Sequence, residues 1–429
     1  MTKAKETFIF GFAIFASFFG AGNLILPPML GYNAGPDWWL VSFGFLTSAT
    51  IIPLLALLGF ARIRGSIMDF SHKVSARFSL IFSICVYAIA IVLACPRTAA
   101  VTHEMAIQPY FQSDSLLTSS IYFSLVFLFA INRGKVMEIL GKYLSPIIGI
   151  ILLIIIGIGF FAPEQTMLTG HYDSPYINGF LEGYQTYDAL AGLIMGGVMV
   201  ITIQNSKKLA SENDKKMMIA RSSFVAMLGL LVIYVGLIYL GAKFNANFDD
   251  SITRPQLLSQ LTLTTLGSSG AAFLSVLVAL ACFTTAISIV VGTSDFFKGI
   301  FKNSQKAYVV TAALSSLIGI IMGQFEVKFI IDLAVYILMF TYPITIVLIL
   351  LNLLPEKFAG PLVFKAVVAI AVLFSITDFL KFLIPVENLE FIYEVVPFSR
   401  DALGWVIPSL ITFVIVNAFT WNKNKPALS

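Results

Sequence analysis

The sequence predicts an all-α, polytopic membrane protein of twelve transmembrane helices, with a core of two inverted five-helix repeats whose first and sixth helices are broken. Three observations carry that prediction. Of the 429 residues 58% are hydrophobic and 12% charged, against roughly 45–50% and 25% in a soluble domain, and the mean hydropathy is +0.90. Apolar runs of about 20 residues, the length that crosses a bilayer, recur along the whole chain. Two of those runs are interrupted by glycine, at corresponding places in the two halves.

The runs lie near 7 to 30, 38 to 61, 79 to 105, 116 to 132, 143 to 162, 180 to 205, 220 to 242, 268 to 295, 307 to 323, 327 to 353, 362 to 383 and 402 to 421. No polar stretch is long enough to bury a core of its own, so residues 1–429 read as one integral membrane domain. Within it, 7–162 form the first repeat, 180–353 the inverted second and 362–421 two peripheral helices. The first run is too long and too interrupted by glycine, and lacks a small-residue cleavage site, so it reads as a retained span and not a signal peptide. With the N-terminus placed in the cytoplasm, twenty-one of the 27 Lys and Arg fall on inner segments. Lys243, Arg254, Lys328, Lys381 and Arg400 fall outside, and Arg97 lies within a span. A basic bias of this size sets the direction and puts both termini in the cytoplasm.

The first span is the informative one. From Thr7 to Phe19 the chain is apolar or small, enough for roughly half a bilayer at about 1.5 Å per residue. Gly20, Gly22 and Asn23 follow within four positions, then Leu24 to Leu26 and Pro27-Pro28. Glycine weakens the helical ladder at mid-membrane, and unwound backbone survives there only where it lines a protein-enclosed polar cavity. Freed carbonyls in such a break can hold a cation, and freed N–H groups at the start of a half-helix can hold a carboxylate. The alternative is a kinked helix packed closely through small residues.

Span six carries Gly183, Asp188, Gly192, Gly196 and Gly197, and is the second interrupted run. Span one runs outward and span six inward, five spans apart, the relation of inverted repeats with matching broken helices. Span eight contains Ala281-Cys282-Phe283-Thr284-Thr285-Ala286-Ile287-Ser288. Its paired threonines either bond back to the preceding turn or, at the depth of the span-one break, offer hard oxygens to a small hard cation.

The remaining reactive residues exclude more than they suggest. Cys85, Cys95 and Cys282 all fall in apolar runs, which argues against a disulfide framework or a metal site. His72, His103 and His171 sit in loops or at span edges, away from any proton relay. The net charge of +4 is spread over loops, so nucleic acid is not an expected partner. There is no HExxH, no paired acids at helical spacing within a span and no phosphate-cradling loop, so an enzyme is not expected. A channel is the stronger rival, because glycine breaks and hydroxyls also build filters. Arg97 and Asp188 are the intramembrane charges. Arg97 either snorkels to the outer interface near Glu104 or gates a site by pairing with Asp188 or Asp332. Asp332 and Asp378 also stand near Lys328 and Lys381 as interfacial pairs.

Four stretches together carry a resemblance: Phe18 to Asn23 with Pro27-Pro28, Cys95-Pro96-Arg97-Thr98, Tyr184 to Leu190, and Ala281 to Ser288. They resemble the bacterial branched-chain amino acid carriers over nearly the whole chain, a family related to the leucine-transporter fold of the amino acid, polyamine and organocation superfamily. The resemblance implies coupled uptake of leucine, isoleucine and valine across a bacterial plasma (inner) membrane, with no cofactor but a coupling ion, sodium or else a proton. It implies that the N–H groups of Ala21 and Gly22 receive the substrate carboxylate. Phe19, Gly20, Asn23, Tyr187, Asp188 and Gly192 complete the substrate set, with Asn23 serving either the substrate or a second cation. The carbonyls of Ala16, Phe19 and Ala281 and the hydroxyls of Thr284 and Thr285 are implied as the sodium ligands. An apolar pocket discriminates one methylene by only about 1–3 kcal/mol, so all three aliphatic substrates are expected to be accepted.

Overall fold

A computed structural model describes residues 3–20, 22–63, 65–132, 135–204, 212–249, 251–380 and 384–423. Ala21 and Lys381 lie outside them. Among the described residues the regular secondary structure is all helical, with no strand. The helices are α1 (Lys3–Phe18), α2 (Gly22–Ala34), α3 (Trp38–Leu46), α4 (Ile52–Ile63), α5 (Ile67–Ser71), α6 (Ala76–Ile89), α7 (Cys95–Thr102), α8 (Ser115–Ile131) and α9 (Lys135–Phe161). There follow α10 (Pro175–Glu182), α11 (Asp188–Gln204), α12 (Glu212–Lys243), α13 (Arg254–Ile300), α14 (Gln305–Gly323), α15 (Val327–Leu353), α16 (Pro361–Leu380), α17 (Glu390–Val395) and α18 (Val406–Lys423). Among the described residues seven helical stretches are long and apolar enough to cross a bilayer, and four shorter apolar helices accompany them.

The chain forms two compact units. The first comprises Met1–Thr50, Tyr87–Tyr187 and Arg221–Leu333. At its centre α13 packs against α2, α7, α8, α9 and α14. Helices α3 and α10 meet backbone to backbone, because a Cβ on Gly179 would overlap the Val41 carbonyl oxygen and one on Gly44 the Tyr176 carbonyl oxygen. At one end, the segment after α9 is stitched down by polar bonds. The Lys243 ammonium donates to the carbonyls of Phe160 (3.0 Å) and Ala162 (2.7 Å), and the His171 N–H donates to the Asn33 carbonyl at 2.7 Å.

The start of α13 departs from the sequence reading, which left 243 to 267 without a helix. Thr253 and Gln256 form a capping box around Arg254 and Pro255, and a first-turn proline is preorganised for a helix. The extra helix ends at Gly267, whose φ of 71° is a conformation only glycine takes without strain. Local signals for both ends were present, but hydropathy alone passed over them.

The second unit comprises Ile51–Val86, Asp188–Ala220 and Ala334–Ser429. Here α4 packs on α11, with the Phe60 ring 2.7 Å from where a Cβ on Gly196 would stand. The Asn352 amide donates to the Phe70 carbonyl at 2.8 Å and so fixes α5 against the end of α15.

Helix α5 starts at Ser66, whose N–H and hydroxyl both donate to Asp69 Oδ2, at 2.7 and 2.8 Å. The Ser66 N–H is the main reason the Asp69 carboxyl is held below its ordinary range; the Ser66 hydroxyl and His72 act in the same direction, against partial burial. A lowered carboxyl contributes stability that is complete above the unfolded pKa of about 3.9 and is lost as pH falls through the lower folded value. Asp69→Ala is therefore expected to melt about 1 to 2 °C below the parent at pH 7, with the gap narrowing as pH falls below the unfolded value. Thermal melting in detergent across that range checks it; an equal gap at both ends would refute the assignment.

Candidate functional site

Helix α1 stops where the glycines begin. The Phe19 N–H still reaches the Phe15 carbonyl (2.8 Å), but the Gly20 N–H turns to Phe18 (2.9 Å) and the Asn23 N–H to Gly20 (3.0 Å). The carbonyls of Ala16 and Phe19 thus lose the N–H groups four residues on that a continuous helix would give them. The Asn23 side chain bridges the break: its amide nitrogen donates to the Phe18 carbonyl and to the Tyr234 hydroxyl, each at 2.7 Å. Tyr234 is fully buried in α12 and meets Phe45 edge-on at 5.2 Å. Asn23 therefore closes the frayed end of α1. Its partner in span seven went unrecognised in the sequence, where a single tyrosine in an apolar run gives no signal.

Span six breaks as well, but not at a glycine in a left-handed turn. Helix α10 tightens into a 3-10 turn over Gly183–Thr186, and the positive φ, 61°, falls on Tyr187. A Cβ on Gly183 would overlap the Ser48 hydroxyl, so that glycine serves close packing. Gly192, Gly196 and Gly197 lie inside α11 and do not interrupt it, which corrects the reading of them as the break. Asp188 and Gly192 belong to the second unit. Asp188 is the first residue of α11, where a carboxylate is favoured by the helix dipole.

Arg97 joins the two breaks. Pro96 has no N–H for the Val92 carbonyl, and the turn before it widens, so that the Cys95 N–H reaches back to Ala90. The guanidinium that follows is 4% exposed. Its Nη1 donates to the Gln185 carbonyl at 2.7 Å, and Cζ stands 4.7 Å from the centre of the Tyr187 ring. A Cβ on Gly22 would overlap Nη2 and come within 2.7 Å of Cζ. Arg97 therefore does not snorkel to an interface. Glu104 caps α15 instead, accepting from the Val327 N–H at 2.8 Å. Asp332, read both as a gate residue and as an interfacial partner of Lys328, is corrected at the gate and makes the pair: its carboxylate takes the Lys328 ammonium at 2.7 Å on the same helix face, and its side chain is 58% exposed.

Thr285 of α13 comes beside the span-one break. A Cβ on Gly20 would stand 3.9 Å from Thr285 Oγ1. The Thr284 hydroxyl donates to the Ala281 carbonyl at 3.0 Å, which leaves its lone pairs available to a cation. Ala16, Phe19, Ala281, Thr284 and Thr285 all belong to the first unit, as do Gly20, Gly22, Asn23 and Tyr187. Their carbonyl and hydroxyl oxygens are hard ligands, suited to sodium more than to a transition metal.

Buried breaks in two apolar helices, held together by one guanidinium, are the build of a multi-pass membrane transporter. Residues 3–423 match the family described as "Branched-chain amino acid transport protein", and the chain belongs to that family. It is 33% identical to the branched-chain amino acid transport system 2 carrier protein of Pseudomonas aeruginosa, over 96% of this chain and 95% of the relative. It is 30% identical to the branched-chain amino acid permease BrnQ of Bacillus subtilis, over 95% of each. These relatives are named as carriers and permeases, and the family is a transport family rather than an enzyme family.

Among solved structures, Mhp1, a nucleobase-cation-symport-1 family transporter in a closed conformation with bromovinylhydantoin bound, superposes with a TM-score of 0.62 at 13% identity, over 99% of this chain and 94% of that one. A Na+-coupled sialic acid symporter in a substrate-bound outward-open state gives 0.59 at 15% identity, over 96% and 89%. These likenesses show the fold, that of the leucine-transporter class.

Proposed function

We propose that the protein carries leucine, isoleucine and valine into a bacterial cell by alternating access, driven by sodium. The observation that carries this reading is the redirected ladder at the span-one break, which turns the Ala16 and Phe19 carbonyls away from their helical partners beside Thr285. Two further points support it: the relatives' names specify branched-chain amino acids, and one structural neighbour is named as Na+-coupled. In this reading twelve spans form two inverted repeats, 7–162 and 180–353, with 362–421 peripheral and both termini cytoplasmic.

Sodium bound to the carbonyls of Ala16, Phe19 and Ala281 and the hydroxyls of Thr284 and Thr285 would pin the broken helix to α13. The N–H groups at the start of α2 would then be fixed to receive the substrate carboxylate. Ion and amino acid would raise each other's affinity by the same factor. The test is leucine uptake into proteoliposomes under an inward sodium gradient or an inward proton gradient, with Thr284→Ala and Thr285→Ala beside the parent. The parent is expected to accumulate leucine with sodium, and each variant to need about tenfold more sodium or to lose accumulation. Uptake driven by protons alone and unaltered by both changes would overturn the sodium assignment. An ion current without amino acid would point to a channel.

A further inference from the structure

We propose that Gln185 and Arg97 form a charge-matched pair of subsites for an α-amino acid, with the Gln185 amide oxygen receiving the ammonium and the Arg97 guanidinium the carboxylate. The assignment rests on the transport reading above and adds the Gln185 side chain to the span-six residues that the resemblance implies.

Two independent observations lead to it. The first is an orphaned acceptor. Among the described residues, the Gln185 amide oxygen is buried without a hydrogen-bond partner, in a residue only 2% exposed, and the hydroxyl of Tyr187, two positions on, is buried likewise. Native structures leave few such atoms unmet, because an unpaired buried acceptor loses its water and gains nothing. Gln185 is held in an irregular turn whose last residue, Tyr187, takes a left-handed conformation. Strain of this kind gathers at ligand sites.

The second observation is the convergence of positive charge. The Arg97 guanidinium packs directly on Gly22, the first residue of α2. A helix N-terminus and a guanidinium each favour an anion at that spot. The same guanidinium is bonded to the Gln185 main-chain carbonyl, so the orphaned amide oxygen springs from a residue already in contact with the anion receptor. A ligand that suits both receptors carries an anion and a hydrogen-bond donor. An α-amino acid in its zwitterionic form meets that requirement, and neither an amine nor a carboxylic acid alone does. Residues named for this site in the sequence reading supply backbone groups for the carboxylate; Gln185 adds a side-chain receptor for the other charge.

The full-length protein in proteoliposomes tests this by competition against labelled leucine. Two leucine-shaped probes each lack one charge of the zwitterion: leucinamide has no carboxylate and 4-methylpentanoate has no ammonium. The parent is expected to reject both by a wide margin. Gln185→Leu should raise the leucine concentration needed for half-maximal uptake about tenfold or more, with 4-methylpentanoate unchanged, so that the ratio between the two narrows by the same factor. Arg97→Gln should narrow the ratio to leucinamide instead. If Gln185→Leu elutes or melts abnormally, Gln185→Glu carries the test, and should keep leucine affinity while rejecting 4-methylpentanoate more strongly. Parent uptake with a leucine to 4-methylpentanoate ratio unchanged in the Gln185 variants overturns the subsite assignment alone. A parent that accumulates no leucine overturns the transport reading and this assignment with it.

Discussion

Gly22→Ala is expected to reduce leucine uptake at least tenfold while leaving the protein folded. The added Cβ would overlap Arg97 Nη2 and lie 2.7 Å from Cζ. An arginine on a surface would swing away, but this one is anchored at two other points, the Gln185 carbonyl and the Tyr187 ring. Moving it breaks a hydrogen bond from a charged donor, a contact of about 1.5–3 kcal/mol when buried, and separates the two broken segments. Initial rates of uptake in proteoliposomes measure the effect, with elution profile and melting as controls for folding. A double-mutant cycle identifies its source. If the loss runs through the guanidinium, Gly22→Ala should do no further harm in an Arg97→Ala background. Equal losses in both backgrounds would mean that Gly22 acts through something else.

Gly241→Val should have a comparable effect by a different route. Helices α2 and α12 cross with their main chains in contact. A Cβ on Gly31 would overlap the Ile238 carbonyl oxygen and stand 2.9 Å from the Ala242 nitrogen, and one on Gly241 would overlap the Pro28 carbonyl oxygen. Backbone atoms in two helices have no rotamer to retreat into, so larger residues must push the helices apart. Small residues at membrane helix crossings allow this approach, and packing contacts depend on it. The expected destabilisation is about 3 kcal/mol or more, at or beyond the upper end for overpacking, seen as earlier melting in detergent. Uptake should fall with it, because the Asn23 to Tyr234 bond that closes the frayed end of α1 joins the same two helices. Gly292→Ala is the control. Its Cβ would meet nothing within 4 Å, so no loss is expected there; a Gly241→Val protein that melts with this control would refute the account.

Hydropathy and glycine spacing were enough to find an all-helical membrane protein and the break at Gly20 and Gly22, because both properties are local. A run of apolar residues has no stable place but the bilayer or a core, and clustered glycines weaken a ladder wherever they stand. The same signal marked span six as broken but did not place the turn within it. Gly192, Gly196 and Gly197 sit inside an unbroken helix, and the turn falls on Tyr187, a residue with no intrinsic liking for a left-handed conformation. The break begins at Gly183, one of the glycines that marked the span, but the left-handed residue is Tyr187, which composition does not single out.

By itself the sequence determined an all-helical membrane protein, the polar groups able to form a site within it, and the place where the first span unwinds. Only the tertiary structure decided which of those groups meet. Arg97 reaches Gln185 across 88 positions and Asn23 reaches Tyr234 across 211, while Asp332, equally plausible at a gate, turns to Lys328 one helical turn away. Depth in the bilayer follows from counting residues along a span. The direction in which a side chain points around its helix follows from how the helices pack, and that depends on contacts between residues far apart in the chain.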